Sequence, residues 1–195
     1  MSDEAYMARA LRLAALGRGW TNPNPMVGAI IVSGTHVLAE GYHHRYGDLH
    51  AERDALKSAM RKGLDVRGAT MYVTLEPCCH FGRQPPCTDA IIEAGITRVV
   101  IGSSDPNPKV AGQGIGILRE AGIEVSEGVL ADECLALNEA FITYIQTGRP
   151  LVTMKYAMTI DGKIACVTGE SRWITGESAR RQLNQIGRAS CRERV

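Results

Sequence analysis

The chain has 195 residues, of which 45% are hydrophobic and 22% charged, and its formal net charge is +1. This length predicts one domain or a little more, with enough chain to bury a core without disulfides. The nearly neutral balance argues against nucleic acid or an anionic membrane as a partner held by bulk charge. No apolar run reaches the roughly 18 residues of a membrane span, and the acidic start is unlike a signal peptide. We therefore expect a cytoplasmic protein, whose six cysteines favour metal binding or catalysis over disulfides.

Apolar spacing and turn residues predict alternating helices and strands in chain order. A helix is expected over Asp3 to Leu16, followed by a hairpin of Val27 to Val32 with "VLAEGYH". Further strands are predicted at "ATMYVTLEP", "RVVIGSSD" and "IEVSEGV", and further helices over Ala51 to Met60, Thr88 to Ala94, Ile115 to Ala121 and Asp132 to Thr147. This alternation favours a layered α/β domain with helices on both faces of the sheet.

A second unit is predicted to begin at "GRPLVTMKYAMTIDGKIA", with Arg149-Pro150 as a linker and Leu151 to Met158 as a strand. We place one domain at 1–148 and the start of another at 149–185, which is too short for a core of its own. Residues 186–195, "IGRASCRERV", resemble the translation of a sequencing-adapter oligonucleotide, and we interpret them as a non-native tail.

The chemistry is concentrated in "HAE", at the start of a predicted helix, and in "LEPCCHFGRQPPC". Zinc nucleobase deaminases carry H-x-E followed by P-C-x-x-C. His50 and Glu52 match the first half, and Pro77-Cys78 opens the second, but the next well-placed cysteine is Cys87. An imidazole and two thiolates suit a zinc ion that keeps one position open for water. Glu52 lies two residues from His50 and is predicted to face the same cavity as a general acid/base.

The remaining cysteines, histidines and methionines have simpler interpretations. Adjacent side chains point in different directions, so we do not expect Cys78 and Cys79 to bind one metal together. Cys78 directly follows Glu76-Pro77 and is taken as the ligand, and Cys79 as a small buried residue. Cys134 and Cys166 lack partners at ligand spacing and are read as buried small residues. Individually, four histidines are more typical of surface or packing positions than of ligands: His36, His43, His44 and His80. Three methionines are expected in the core: Met7, Met60 and Met71.

Four segments covering most of residues 21–125 resemble the family of bifunctional riboflavin-biosynthesis deaminase/reductases: "TNPNPMVGAIIV", "GYHHRYGDLHAE", "VTLEPCCHFGRQPPCTDAIIEAGI" and "DPNPKVAGQGIGILREAGIEV". The long loop between the two cysteines is a feature of that family. The resemblance implies a cytidine-deaminase-like three-layer αβα sandwich with a mixed central sheet, followed by a truncated start of an α/β reductase domain. It also implies homo-oligomers.

The resemblance further implies zinc-dependent removal of the 2-amino group from 2,5-diamino-6-(5-phosphoribosylamino)pyrimidin-4(3H)-one. Substrate contacts carry over onto Asn24, His43, His80 and Arg83. These residue types suit that role, since an asparagine offers a donor and an acceptor to a pyrimidine edge. The fork of Arg83 fits a ribose phosphate. Asp105 and Asn107 are expected either to border the pocket or to form a plain turn.

The segments "KYAMTIDGKIA" and "TGESRWIT" resemble the start of the family's reductase domain. There the resemblance implies an NADPH site around Ala157, Trp173 and Thr175 and a substrate contact at Ser171. NADPH belongs to the full-length family, and we expect no reductase activity from this chain.

Two alternatives stay open at this point. One is a zinc deaminase acting on nucleic acid, such as a tRNA adenosine deaminase, which would want a basic groove along the site. The other is a catalytically silent zinc-stabilised domain, closed by a fourth protein ligand and without use for Glu52. Iron could also occupy the same set of ligands.

Overall fold

The structure, a computed structural model, describes residues 1–107 and 111–192, with side chains as far as residue 184. Five strands, β1 to β5, form one sheet: Gly28–Ser33, His36–Tyr42, Thr70–Leu75, Arg98–Ser103 and Glu124–Glu127. Their order across the sheet is β2-β1-β3-β4-β5. β1 is antiparallel to β2 and β3, whereas β4 is parallel to β3 and β5. The sheet is therefore mixed, as predicted.

Helices cover both faces of this sheet. In chain order α1 to α7 are Asp3–Ala14, Ala51–Arg61, Cys87–Glu93, Gln113–Glu120, Ala131–Leu137, Glu139–Thr147 and Glu177–Arg192. No helix within the described parts of the chain has the length and apolarity that crossing a membrane requires.

Two apolar cores lie on opposite sides of the sheet because strand side chains alternate between its faces. Ile31 and Val73 face the core that contains Ala55 of α2 and Leu118 of α4. Their neighbours face the other core, which joins the strands to α1 and α5 through five fully or nearly buried residues: Met7, Ala10, Ile30, Val100 and Cys134. The predicted three-layer αβα sandwich is confirmed.

Two predicted elements are wrong. The helix expected over Asp132 to Thr147 is interrupted at Asn138, which has φ −110° and separates α5 from α6. No strand forms over Leu151 to Met158, where the described backbone has no regular structure. A strand needs a neighbour for its backbone hydrogen bonds, and no other described strand pairs with this segment.

Three side chains differ from the predicted burial. Met60 is 72% exposed on the outer side of α2, so it is not a core residue. Cys166 is exposed, and Cys79 is half-buried rather than enclosed. Met7 and Met71 are fully buried, as expected. The proposed domain limits 1–148 and 149–185 stay predictions, and so does the non-native tail, 186–195, whose side chains lie outside the described residues.

Candidate active site

Three side chains that could hold a metal converge at the end of the sheet. The ligand atoms of His50, Cys78 and Cys87 all lie within 4.8 Å of one another. Each sulfur lies 3.4 Å from the Nδ1 atom of His50. Tetrahedral zinc, with bonds of about 2.3 Å to sulfur and about 2.0 Å to nitrogen, separates these atoms by about 3.5 Å. The residues therefore fit zinc in both chemistry and spacing.

Local backbone geometry sets this arrangement. His50 immediately precedes α2, and its carbonyl accepts the hydrogen bond of Asp54 N. α2 lies so close to β2 that a Cβ on Gly41 would be 2.3 Å from the backbone nitrogen of Ala55. Only a glycine admits that approach. The residues of β2 and α2 together therefore fix where His50 stands.

The two cysteines are joined through their backbones. Cys78 follows the end of β3, and Cys87 is the first residue of α3. The amides of Cys87 and Thr88 both donate to the carbonyl of Cys78, over 3.0 and 3.2 Å. The two ends of the intervening loop, residues 79–86, are thus held next to each other. This keeps the sulfurs of Cys78 and Cys87 beside His50.

The sulfurs and Glu52 strongly perturb one another. A hydrogen bond from Cys87 lowers the pKa of Cys78 to about 4, and the same contact raises the pKa of Cys87 well above its ordinary value. A divalent cation held by both sulfurs would allow both of them to ionise. Burial raises the pKa of Glu52 to about 7, with a further contribution from the charge on Cys78.

A cavity of about 310 Å³ opens beside these groups. Glu52 is only 3% exposed, and its carboxyl group is hydrogen-bonded to Cys87. The four substrate contacts predicted for the deaminase domain line the same cavity: Asn24, His43, His80 and Arg83. Asp105 and Asn107 also line it. The structure thus brings His50, Cys78, the acid and these contacts together around one space, with fully buried Cys87 beside His50.

His43 is held in one tautomer. Its Nδ1 atom lies 2.9 Å from the carbonyl of Leu49, so Nδ1 carries the proton and donates. The other ring nitrogen, Nε2, then accepts from the amide nitrogen of Asn24 over 3.2 Å. Burial lowers the pKa of His43, which favours this neutral form. His43 therefore orients Asn24 at the cavity wall.

Glu76 anchors the segment that carries Asp105. It is 4% exposed, and its carboxylate accepts four backbone N–H groups, from Asp105, Gly112, Gly114 and Ile115, over 3.0 to 3.3 Å. A Cβ on Gly114 would be 2.3 Å from the carbonyl of Pro77, so α4 begins directly against the strand end. Glu76 was not among the residues predicted for the site. A charged residue ending an apolar strand, next to Pro77-Cys78, was the available signal.

Two further residues that the sequence did not predict hold loops of the site in place through hydrogen bonds to their backbones. Asn138, at the junction of α5 and α6, pairs with both backbone groups of Met26 in the segment that carries Asn24. Arg53 donates to the carbonyls of Pro85 and Pro86, over 3.2 and 2.8 Å, and holds the end of loop 79–86. Neither has a local sequence signal, because the partners are distant along the chain.

The four residues predicted for the reductase unit do not belong to this site. Ala157, Ser171, Trp173 and Thr175 are exposed and do not line the cavity. The Trp173 ring, 70% exposed, is covered on one face by the guanidinium of Arg180 at 4.1 Å.

The mixed five-stranded αβα sandwich and its His-Cys-Cys cluster are those of the fold class of zinc-binding cytidine deaminases. Residues 1–103 match the family model "Cytidine and deoxycytidylate deaminase zinc-binding region". Residues 150–191 match the model of the RibD C-terminal domain. The chain belongs to the RibD family of riboflavin biosynthesis proteins, which confirms the resemblance seen in the sequence.

Three relatives illustrate the similarity. The chain is 60% identical over 185 residues to riboflavin biosynthesis protein RibD of Actinobacillus pleuropneumoniae, with 95% of this chain and 48% of that protein covered. It is 48% identical over 150 residues to a diaminohydroxyphosphoribosylamino-pyrimidine deaminase of Buchnera aphidicola subsp. Schizaphis graminum, with 77% of this chain and 100% of that protein covered. A crystal structure of a Thermotoga maritima deaminase/reductase superposes with TM-score 0.90 at 53% identity, covering 94% of this chain and 52% of that one. The chain thus spans about half the length of the Actinobacillus and Thermotoga proteins.

Proposed function

We propose that this chain catalyses hydrolytic deamination of 2,5-diamino-6-(5-phosphoribosylamino)pyrimidin-4(3H)-one to 5-amino-6-(5-phosphoribosylamino)uracil. The observation that carries the proposal is the placement of buried Glu52 beside the His50-Cys78-Cys87 cluster in a cavity lined by Asn24, His43 and Arg83. The Buchnera deaminase, which this chain covers completely, supports the choice of substrate.

In the proposed reaction His50, Cys78 and Cys87 hold zinc, which when bound makes a water molecule nucleophilic near neutral pH. Glu52 takes a proton from the attacking water and delivers it to the 2-amino group. A carbon–oxygen bond forms at the ring carbon, the carbon–nitrogen bond breaks, and ammonia leaves. Burial raises the pKa of Glu52, which favours uptake of the proton before it is passed to the amino group.

The surrounding side chains would bind and orient the substrate. Asn24, its amide nitrogen already engaged with Nε2 of His43, offers its carbonyl oxygen to the ring edge. His80 and Arg83 lie on loop 79–86, and the exposed guanidinium of Arg83 would take the ribose phosphate. These contacts favour a small phosphorylated pyrimidine over a nucleic acid.

The reductase contacts and the oligomer are separate parts of the proposal. Ala157, Ser171, Trp173 and Thr175 lie in the segment that matches the RibD C-terminal domain, so we assign them to its NADPH and substrate sites. Their exposure supports deaminase activity alone for this chain, since a cofactor site encloses most of its ligand. Exposed apolar side chains over 151–167, such as Val152 at 84% and Met154 at 81%, support self-association.

The decisive experiment is ammonia release from the diaminopyrimidinone phosphate by the purified chain, with metal analysis of the same sample. We expect one zinc per chain and turnover that a chelator abolishes and zinc restores. Metal-free protein with full turnover would contradict the proposal.

A further inference from the structure

We propose that Tyr46 is a positioning residue for Arg83, holding its guanidinium at the cavity mouth and thereby setting the preference for phosphorylated substrates. This inference rests on the proposed function, because it assigns the ribose phosphate to Arg83. Its starting point is the guanidinium carbon of Arg83, which lies 4.5 Å from the centre of the Tyr46 ring. Both residues line the cavity.

Of the two residues in this contact, Tyr46 has its backbone tied to the rest of the domain. The amide of Tyr46 donates to the carbonyl of Trp20 over 2.9 Å. Its loop is tied down at both ends, since His43 N donates to Val27 O and the His43 ring donates to Leu49 O, each over 2.9 Å. The backbone that carries the Tyr46 ring is therefore held by the body of the domain.

Arg83 itself is exposed and sits in the middle of loop 79–86. The described ties of that loop to the domain lie near its two ends, where Cys79 contacts Gln113 over 3.9 Å and Arg53 binds the carbonyls of Pro85 and Pro86. A long, exposed arginine side chain loses considerable rotamer entropy when it binds a ligand. Stacking on Tyr46 restricts those rotamers beforehand, so less entropy is lost on binding the phosphate.

The charges nearby leave the guanidinium available to an anion. Among the residues that the structure describes, no carboxylate forms an ion pair with Arg83. Asp48, which also lines the cavity, is paired with Arg45 at 3.5 Å. A stacked arginine keeps its N–H donors in the plane of the guanidinium free for a bidentate contact.

The test compares Tyr46→Leu, which removes the π face, with Tyr46→Phe, which keeps it. Activity is measured on the phosphorylated substrate and on its dephosphorylated counterpart. For Tyr46→Leu we expect the ratio of the two kcat/KM values to fall about two- to fivefold, the size of an exposed cation–π contact. Tyr46→Phe is expected to keep the wild-type ratio, and Tyr46→Leu to have no further effect on the ratio in an Arg83→Ala background.

Other outcomes would overturn the inference. An equal loss on both substrates would give Tyr46 a structural role or a direct contact with the pyrimidine. A loss in Tyr46→Phe as large as in Tyr46→Leu would transfer the effect to the hydroxyl group. Unchanged thermal unfolding of the variants controls for folding, as expected for a side chain on a residue that is 42% exposed.

A binding measurement separates this inference from the proposed function. Ribose 5-phosphate is titrated into the wild type and Tyr46→Leu by NMR, with ribose as the control ligand. Weaker binding of ribose 5-phosphate by Tyr46→Leu supports the positioning role even if the chain releases no ammonia. Equal binding by both proteins rejects that role, whatever the turnover.

Discussion

The side-chain amide of Asn138 pairs with the backbone of Met26 like a neighbouring strand, although 112 residues separate them. Met26 N donates to Asn138 Oδ1 over 2.8 Å, and Asn138 Nδ2 donates to Met26 O over 2.9 Å. Asn138 is 4% exposed, so water cannot readily replace it. One side chain thus ties the α5–α6 junction to the segment that carries Asn24.

Asn138→Ala leaves both backbone groups of Met26 without their partners. We expect the free energy of unfolding to fall by about 2 kcal/mol, because buried unsatisfied groups keep their desolvation cost. KM for the pyrimidine substrate should also rise, since Asn24 loses its support. Urea denaturation and steady-state kinetics measure the two effects. Asn184→Ala, at an exposed helical position, is the matched control, and an equal loss in both variants would contradict the prediction.

Glu76→Gln replaces one oxygen acceptor by an N–H donor that faces backbone N–H groups. We expect a loss of about 2 kcal/mol in unfolding free energy, in the range for hydrogen bonds to a charged group. Hydrogen exchange should accelerate at Gly112, Gly114 and Ile115, whose amides the carboxylate binds. Glu93→Gln, on the exposed side of α3, serves as the control. Unchanged exchange at these three amides would show that the carboxylate is not their anchor.

The cysteines allow a sharp test of the metal site. Cys78→Ser and Cys87→Ser should each weaken zinc binding by more than the roughly 10–100-fold that loss of a hydrogen bond to a ligand costs. Cys79→Ser should retain its zinc, because the cluster within 4.8 Å comprises only His50, Cys78 and Cys87 among the described residues. Metal content after dialysis against a graded chelator measures the difference. Zinc loss in Cys79→Ser equal to that in Cys78→Ser would refute this ligand set.

Glu52→Gln should separate catalysis from metal binding. The variant keeps the shape of the side chain but has no carboxyl group to carry a proton, so kcat is expected to fall about 10²- to 10⁴-fold. Zinc content should stay at the wild-type level, since Glu52 lies outside the ligand cluster. If the zinc site were only structural, Glu52→Gln would change neither the zinc content nor the rate of ammonia release. Glu93→Gln is again the control, measured for ammonia release and zinc on the same preparations.

The ion pair of Asp3 and Arg98 predicts a pH-dependent contribution to stability. Arg98 binds both oxygens of Asp3, with the shorter contact at 2.8 Å, and this hydrogen bonding lowers the pKa of Asp3. A lowered pKa stabilises the fold above the unfolded value, about 3.9, and that contribution is lost as the pH falls through the folded value. Both side chains are partly exposed, so Asp3→Asn should cost about 1 kcal/mol at pH 7.

The cost of Asp3→Asn should shrink as the pH falls below about 4 and be lost as it passes through the lowered pKa of folded Asp3. Chemical denaturation of the wild type and the variant across this range measures it. Asp132→Asn removes an exposed acid from the first turn of another helix and controls for the helix dipole. A difference for Asp3→Asn that is constant across the pH range would exclude the ion pair as its cause.

The sequence predicted the sheet, its flanking helices and the residues of the cluster because their signals are local. His50 and Glu52 form a motif three residues long, and Pro77-Cys78 marks the end of an apolar run. The role of Asn138 could not be predicted, because the helical pattern around it continues into α6 and its partner, Met26, is 112 residues away in the sequence. For Leu151 to Met158 the local residues predict a strand that does not form. A strand also needs a neighbouring strand for its hydrogen bonds, and the local sequence does not show whether one is present.

The shared carbonyl of Cys78 has a consequence for how this domain could change. The amides of Cys87 and Thr88 bind the carbonyl of Cys78 and so close loop 79–86 where it begins. The sequence of the loop can therefore change without moving the sulfurs of Cys78 and Cys87. The His50-Cys78-Cys87 cluster and the loop that carries Arg83 are thus structurally separable. If the proposed function holds, a different loop grafted between Cys78 and Cys87 should change which pyrimidine is bound and leave the metal ligands in place.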